Sequence, residues 1–261
     1  MPTAVAAASL AVLGLVVGSF LNVVVWRVPR GESVVSPPSA CPSCHHRIRA
    51  RDNVPVVSWL VLRGRCRDCG ARISARYPVV EAWTGALFVL VSLVVGITWT
   101  LPAWLYLAAV GTALALIDVD HHRLPDVIVL PSYVVAGLLL LLPAALDDQW
   151  STYGRAWLAA AALFAFYFFI AFVYPAGMGF GDVKLAGVLG LYLGWLGWGE
   201  VIVGTFAAFL FGAVVGVIFA RRNRSGRKTA IPFGPFMLLG VLFALLLGPE
   251  VVMWYTGLLA G

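Results

Sequence analysis

Two aspartates stand where a carboxylate is costly to keep. Asp118 closes an apolar run, in Leu114-Ala115-Leu116-Ile117-Asp118-Val119-Asp120-His121-His122-Arg123-Leu124-Pro125-Asp126, and Asp182 opens another, in Gly177-Met178-Gly179-Phe180-Gly181-Asp182-Val183-Lys184. An ionisable side chain at membrane depth costs about 2.5–3.5 kcal/mol on insertion scales, so one retained at a span end is a candidate for function. If two such carboxylates approach within a few ångströms, they cannot both ionise comfortably and share a proton. One can then activate water while the other protonates or polarises a scissile carbonyl, which is aspartic-protease chemistry. A single Asp at a helix start is more often a cap. Here the context argues for more. Gly177, Gly179 and Gly181 alternate before Asp182 and let backbone or substrate come close. Pro125 enforces a tight corner after Asp118, with Asp126 near the positive end of the following helix. Asp126 and Asp120 are rival partners, read as a helix cap and a solvated residue.

A second constellation is Cys41-x2-Cys44 and Cys66-x2-Cys69, separated by 21 residues and followed by Gly70. Two such knuckles place four thiolates around one tetrahedral ion, the spacing of a zinc ribbon. Four cysteines close the coordination shell, so the zinc is structural, and its binding would supply much of the folding energy of the loop. His45 and His46 read as solvated. Arg47, Arg49, Arg51, Arg63, Arg65, Arg67, Arg72 and Arg76 read as topology determinants and contacts to anionic lipid. No nucleic-acid module accompanies them, so nucleic acid is not an expected partner.

The elements that position these groups follow from composition. The chain has 261 residues, 61% hydrophobic and only 11% charged, which excludes a water-soluble globule. Helices of about 20 apolar residues cross a bilayer core of roughly 30 Å and satisfy their own backbone. Eight such runs are expected, at about 4–26, 80–98, 101–117, 127–146, 155–174, 183–198, 200–220 and 235–258, with the Gly-rich run at 183–198 short. Between Arg27 and Arg76 ten arginines stand against Glu32, Asp52 and Asp68, while the whole chain carries +6. That segment and the cluster Arg221, Arg222, Arg224, Arg227 and Lys228 are both placed in the cytoplasm by the positive-inside rule, and the six spans between them return the chain to the same side. The same parity puts the corners at Asp118 and Asp182 on the cytoplasmic face, and the Asp147–Asp148 turn and both termini outside. In a reducing cytosol the four cysteines are metal ligands, not disulfides. The first span lacks a basic n-region and a small-residue cleavage site, so it reads as a retained anchor. Trp59, Trp83, Trp99, Trp104, Trp195, Trp198 and Trp254 read as interfacial belt residues.

From about Gly18 to Pro235 the chain resembles the type IV prepilin peptidases, bacterial members of the Gly-x-Gly-Asp membrane aspartyl proteases. The resemblance is carried by Gly18-Ser19-Phe20-Leu21-Asn22-Val23-Val24 with Arg27 and Pro29, and by Cys41-Pro42-Ser43-Cys44. It continues through Asn53-Val54-Pro55, Ser58-Trp59-Leu60, Leu62-Arg63-Gly64-Arg65-Cys66, Cys69, Ile73-Ser74-Ala75-Arg76-Tyr77-Pro78, Glu81 and the two aspartate motifs. It implies a bifunctional enzyme of the bacterial inner membrane. Such an enzyme cuts the basic leader from pilin-like precursors after a glycine at the cytoplasmic face, then methylates the new α-amine with S-adenosylmethionine. By motif matching Asp118 and Asp182 carry cleavage, with Gly179, Gly181, Pro125 and Asp126 as supporting residues. The amino-terminal cytoplasmic segment is associated with methyl transfer, although no glycine-rich cofactor loop of the soluble methyltransferase kind is present.

The expected architecture is an all-α integral membrane protein: a first helix over 1–26, a cytoplasmic zinc-binding loop over 27–79 and a peptidase bundle over 80–261. Two other classes compete. A transporter or channel would explain Asp118 and Asp182 as a proton relay, but not the ribbon. A scaffold with a degenerate peptidase site is at odds with intact Asp118, Gly179, Gly181 and Asp182.

Overall fold

The computed structural model describes residues 3–175, 177–222 and 231–260; Arg224, Arg227 and Lys228 of the second basic cluster lie outside them. Nine α-helices are present among the described residues: α1 (Ala4–Arg27), α2 (Val57–Val61), α3 (Arg76–Val95), α4 (Leu101–His121), α5 (Asp126–Leu146), α6 (Trp150–Val173), α7 (Phe180–Leu196), α8 (Trp198–Arg222) and α9 (Gly234–Ala260). The short α2 lies in the loop, and the other eight match the eight expected runs. Seven of these are long and apolar enough to cross a membrane. Large side chains such as Phe172, Ile202 and Phe206 remain 74%, 70% and 67% exposed, the surface expected where lipid is the solvent. The chain is a multi-pass membrane protein.

The eighth run differs from the rest. Helix α7 has 17 residues, about 25 Å at 1.5 Å per residue, which is short of a bilayer core. It is also the most enclosed helix: Val183 and every residue from Leu185 to Trp195 are buried. Its neighbours are α5, α6, α8 and α9, with α6 closest. Small residues make this approach possible. A Cβ on Gly190 would lie 2.6 Å from the Cα of Ala160, and one on Gly194 would lie 2.4 Å from the Cβ of Ala159. Close backbone packing of this kind takes over where the hydrophobic effect gives helices no reason to associate in lipid. Arg155 of α6 covers the far end of α7, donating to the carbonyls of Gly194, Trp195 and Leu196 at 2.8, 3.0 and 3.4 Å.

The residues fall into two compact units, one formed by the chain up to Leu101 with Leu105–Ala113, the other by Pro102–Trp104 with the chain from Leu114 onward. Helix α4 contributes to both. In the first unit α1 packs on α3, where a Cβ on Gly14 would meet the Cα of Gly85 at 2.7 Å and one on Gly18 the Cα of Glu81 at 2.8 Å. The Asn22 amide of α1 donates to the Tyr77 carbonyl of α3 at 3.2 Å. Between the two helices runs the cysteine-bearing loop, with α2, two 3-10 turns and two isolated bridges. Two tryptophans depart from the belt reading. Trp104 is only 3% exposed, edge-on to Tyr192 at 5.3 Å, and Trp195 is 7% exposed. Trp59 packs within the loop, its indole N–H donating to the Ile73 carbonyl at 3.2 Å.

Candidate active site and metal centre

The second unit gathers the ends of several elements around the two aspartates. Asp118 lies in the last turn of α4 and is 5% exposed. The helix stops four residues on, where His122 takes a left-handed conformation (φ 52°) and its N–H donates to the Asp118 carbonyl at 2.8 Å. The Asp118 carboxylate is held from elsewhere in the chain: its Oδ2 accepts a buried hydrogen bond of 3.0 Å from the Gly234 N–H, at the start of α9. A Cβ at position 234 would sit 2.9 Å from that oxygen, so only glycine lets the carboxylate reach this N–H undisturbed.

Asp182 is the third residue of α7. Its Oδ2 accepts from the Gly179 N–H at 3.2 Å, while its own N–H donates to the Gly179 carbonyl at 3.0 Å. This is half of a capping box, because Gly179 has no side chain to complete the other half. The two carboxylates are therefore held alike, each with one oxygen on the N–H of a glycine at a helix start. They also lie within electrostatic reach of one another. Leu124, in the α4–α5 corner and 8% exposed, joins the sites: it stands 3.1 Å from where a Gly181 Cβ would be and 3.3 Å from a Gly234 Cβ.

The supporting residues distribute as follows. Pro125 is the N-cap of α5 with ψ 128°. Asp126 opens α5, and its two oxygens accept from the Lys184 ammonium at 2.7 Å each. Asp126 is thus a tie between α5 and α7 as well as a helix-start acid. The Tyr133 hydroxyl adds a second tie, donating to the Lys184 carbonyl at 2.7 Å. Asp120, in the same last turn of α4, is exposed. Gly234, Leu124, Lys184 and Tyr167 were not singled out from the sequence. Tyr167 of α6 is 2% exposed, stacks on Phe209 at 5.6 Å and interacts electrostatically with Asp182. Phe209 and Phe236 also hold Phe233, next to Gly234, at 5.2 and 6.4 Å. The one sequence signal was Pro232-Phe233-Gly234-Pro235, a glycine between prolines at the mouth of the last span.

The four cysteines of the first unit converge. Their sulfurs lie within 4.8 Å of one another, with Cys41 and Cys69 3.8 Å apart. A tetrahedron of ~2.3 Å metal–sulfur bonds has edges of about 3.8 Å, so the group can hold a metal ion. The two knuckles repeat one backbone pattern. The N–H of His45 donates to the Cys41 carbonyl and that of Gly70 to the Cys66 carbonyl, both at 2.9 Å, and both residues have positive φ (59° and 72°). His45 therefore serves its knuckle through its main chain. The loop is tied by Arg67 to Asp52 at 2.6 Å and by Arg49 to Asp68 at 2.8 Å. The Arg67 guanidinium holds the Asp52 carboxyl below the usual carboxylate range.

The chain matches known sequences along most of its length. Residues 12–95 fit the model of the bacterial peptidase A24 N-terminal domain and residues 105–217 that of the type IV leader peptidase family. A prepilin leader peptidase/N-methyltransferase of Pseudomonas aeruginosa is 38% identical, over 93% of this chain and 91% of its own. A protein of the same name from Myxococcus xanthus is 40% identical over 84% of this chain and 64% of its own. A type 4 prepilin-like proteins leader peptide-processing enzyme of Escherichia coli is 37% identical over 87% and 88%. No solved structure matches. With two aspartate corners in one unit, a four-cysteine loop after the first helix and these relatives, the chain belongs to the type IV leader peptidase family.

Proposed function

We propose that Asp118 and Asp182 cleave the leader from type IV prepilin-like precursors, and that the same protein then N-methylates the exposed amino terminus with S-adenosylmethionine. The observation that carries the cleavage reading is the matched anchoring of the two carboxylates: each has Oδ2 on a glycine N–H, and neither second oxygen has a hydrogen-bond partner among the described residues. With one proton between them, one carboxylate accepts a proton from the attacking water while the other hydrogen-bonds the scissile carbonyl and protonates it as the tetrahedral oxyanion forms. A side chain on Gly179 would crowd Oδ2 of Asp182, 3.3 Å from its Cβ position, and one on Gly181 would meet Leu124 at 3.1 Å. Pro125, Leu124 and the Asp126–Lys184 pair hold the α4–α5 corner against α7.

The topology we infer places both corners on the cytoplasmic face of the bacterial inner membrane and both chain ends outside, with the pilin-like helix lying in lipid beside the bundle. The loop over 27–79 belongs with methylation and the bundle over 80–261 with cleavage. The metal is structural zinc on Cys41, Cys44, Cys66 and Cys69, because four thiolates leave no position for substrate. Asp118→Asn and Asp182→Asn keep shape and remove titration. In proteoliposomes with a tagged precursor, each is expected to leave the precursor at full mass. Normal leader loss with either variant would refute the assignment, and ion flux without hydrolysis by the unaltered protein would favour a transporter.

A further inference from the structure

The first unit contains a cavity of about 580 Å³ bounded by α1, α3 and the cysteine loop, within the roughly 300–1,000 Å³ range of small-molecule sites. At its wall lies Glu81 of α3, only 8% exposed. A carboxylate so enclosed is ordinarily satisfied on both oxygens or paired with a cation. Here Oε2 accepts from the Val56 N–H at 2.7 Å, and Oε1 has no hydrogen-bond partner among the described residues. The single donor is itself unusual. Val56 is β-branched yet has φ 61° and ψ −50°, a conformation that costs on the order of 1–3 kcal/mol and collects at functional sites. The fold thus holds one oxygen of a cavity-lining acid by a strained backbone amide and gives the other no donor among the described residues.

The remaining walls say what that space suits. Trp26 and Trp59 line it with aromatic surface. Arg47 and Arg72 also line it, and neither forms an ion pair among the described residues. A buried carboxyl group, aromatic faces and uncommitted guanidinium groups together match a ligand that carries a fixed cation, a flat heteroaromatic base and a carboxylate. S-adenosylmethionine has all three: a sulfonium and an ammonium, an adenine and an α-carboxylate. We propose that this cavity binds S-adenosylmethionine, with Glu81 holding its cationic amino-acid end and Arg47 and Arg72 its carboxylate. The assignment rests on the methyl-transfer reading above and gives that activity a place in the molecule.

The test uses the full chain in detergent micelles, with S-adenosylmethionine as the probe. Irradiation with methyl-tritiated donor followed by peptide mapping is expected to label peptides containing Trp26, Trp59 or Glu81; label confined to residues 114–261 would overturn the proposal. Glu81→Gln keeps an acceptor for the Val56 N–H and removes the charge. It is expected to weaken donor binding, read as tryptophan quenching, by at least about tenfold. The variant should still cleave the precursor, and the cleaved product should emerge without the added methyl mass. Donor binding by Glu81→Gln equal to that of the unaltered protein would also overturn the proposal. An unaltered protein that cleaves precursor but neither binds the donor nor methylates the product would instead remove the methyl-transfer reading.

Discussion

The chemistry assigned to Asp118 depends on a glycine 116 residues away. Because a Cβ at position 234 would stand 2.9 Å from Oδ2 of Asp118, Gly234→Ala must displace either the carboxylate or the start of α9. A hydrogen bond to a charged group is worth about 1.5–3 kcal/mol, so the variant is expected to lose about 10- to 100-fold in leader-cleavage kcat, with little change in KM for the precursor. Parallel thermal unfolding and membrane yield check that the helix remains; an unchanged kcat would show that the Gly234 N–H does not position the carboxylate. The aspartates themselves were legible because each sits beside an apolar run in a local glycine or proline context. Gly234 was not, since nothing near it in sequence announces a distant anion. Asp126 shows the same limit: its place at a helix start could be read locally, whereas its pairing with Lys184, 58 positions on, could not.

At the scale of elements, apolar length revealed all eight long helices, most within a few residues of their observed ends. It could not tell which faces meet lipid and which meet protein, because both are apolar. Trp104 and Trp195 therefore read as belt residues although they are buried, and α7 read as one more span although other helices enclose it. Its short length is tolerable because protein, not lipid, surrounds it. The price is an end whose last carbonyls would otherwise face apolar surroundings, and Arg155 satisfies three of them. Arg155→Met keeps the apolar stem and removes every donor. It is expected to cost about 1–3 kcal/mol and to lower the unfolding midpoint in detergent by several degrees. Lysine should restore only part of the loss, because an ammonium cannot reproduce the planar fork. A midpoint unmoved by Arg155→Met would show that this end of α7 is satisfied by other means.

For the whole molecule, the two compact units draw their stability from different sources. The second is a helix bundle whose buried face is extensive, with Val183, Leu191 and Tyr192 all at 0% exposure. The loop of the first has few buried residues: between Val28 and Ala75 only Cys41, Ser58 and Gly64 are buried. A segment with so small a core needs another source of folding energy, and a four-thiolate ion supplies it. Removal of the metal should therefore act on one unit and spare the other. The purified protein is expected to carry about one zinc per chain, lost in a Cys41→Ser, Cys44→Ser variant. Chelation should then open the loop to trypsin at arginines such as Arg47, Arg63 and Arg72, each exposed or half-exposed even in the folded loop. The fragment from Leu114 through α8 should persist in the same digest. Mass mapping of the first cuts decides the matter. Cleavage that begins equally in both units after chelation would show that the metal holds more than its own loop, and a loop equally resistant with and without metal would show that its ion pairs, Arg67–Asp52 and Arg49–Asp68, suffice.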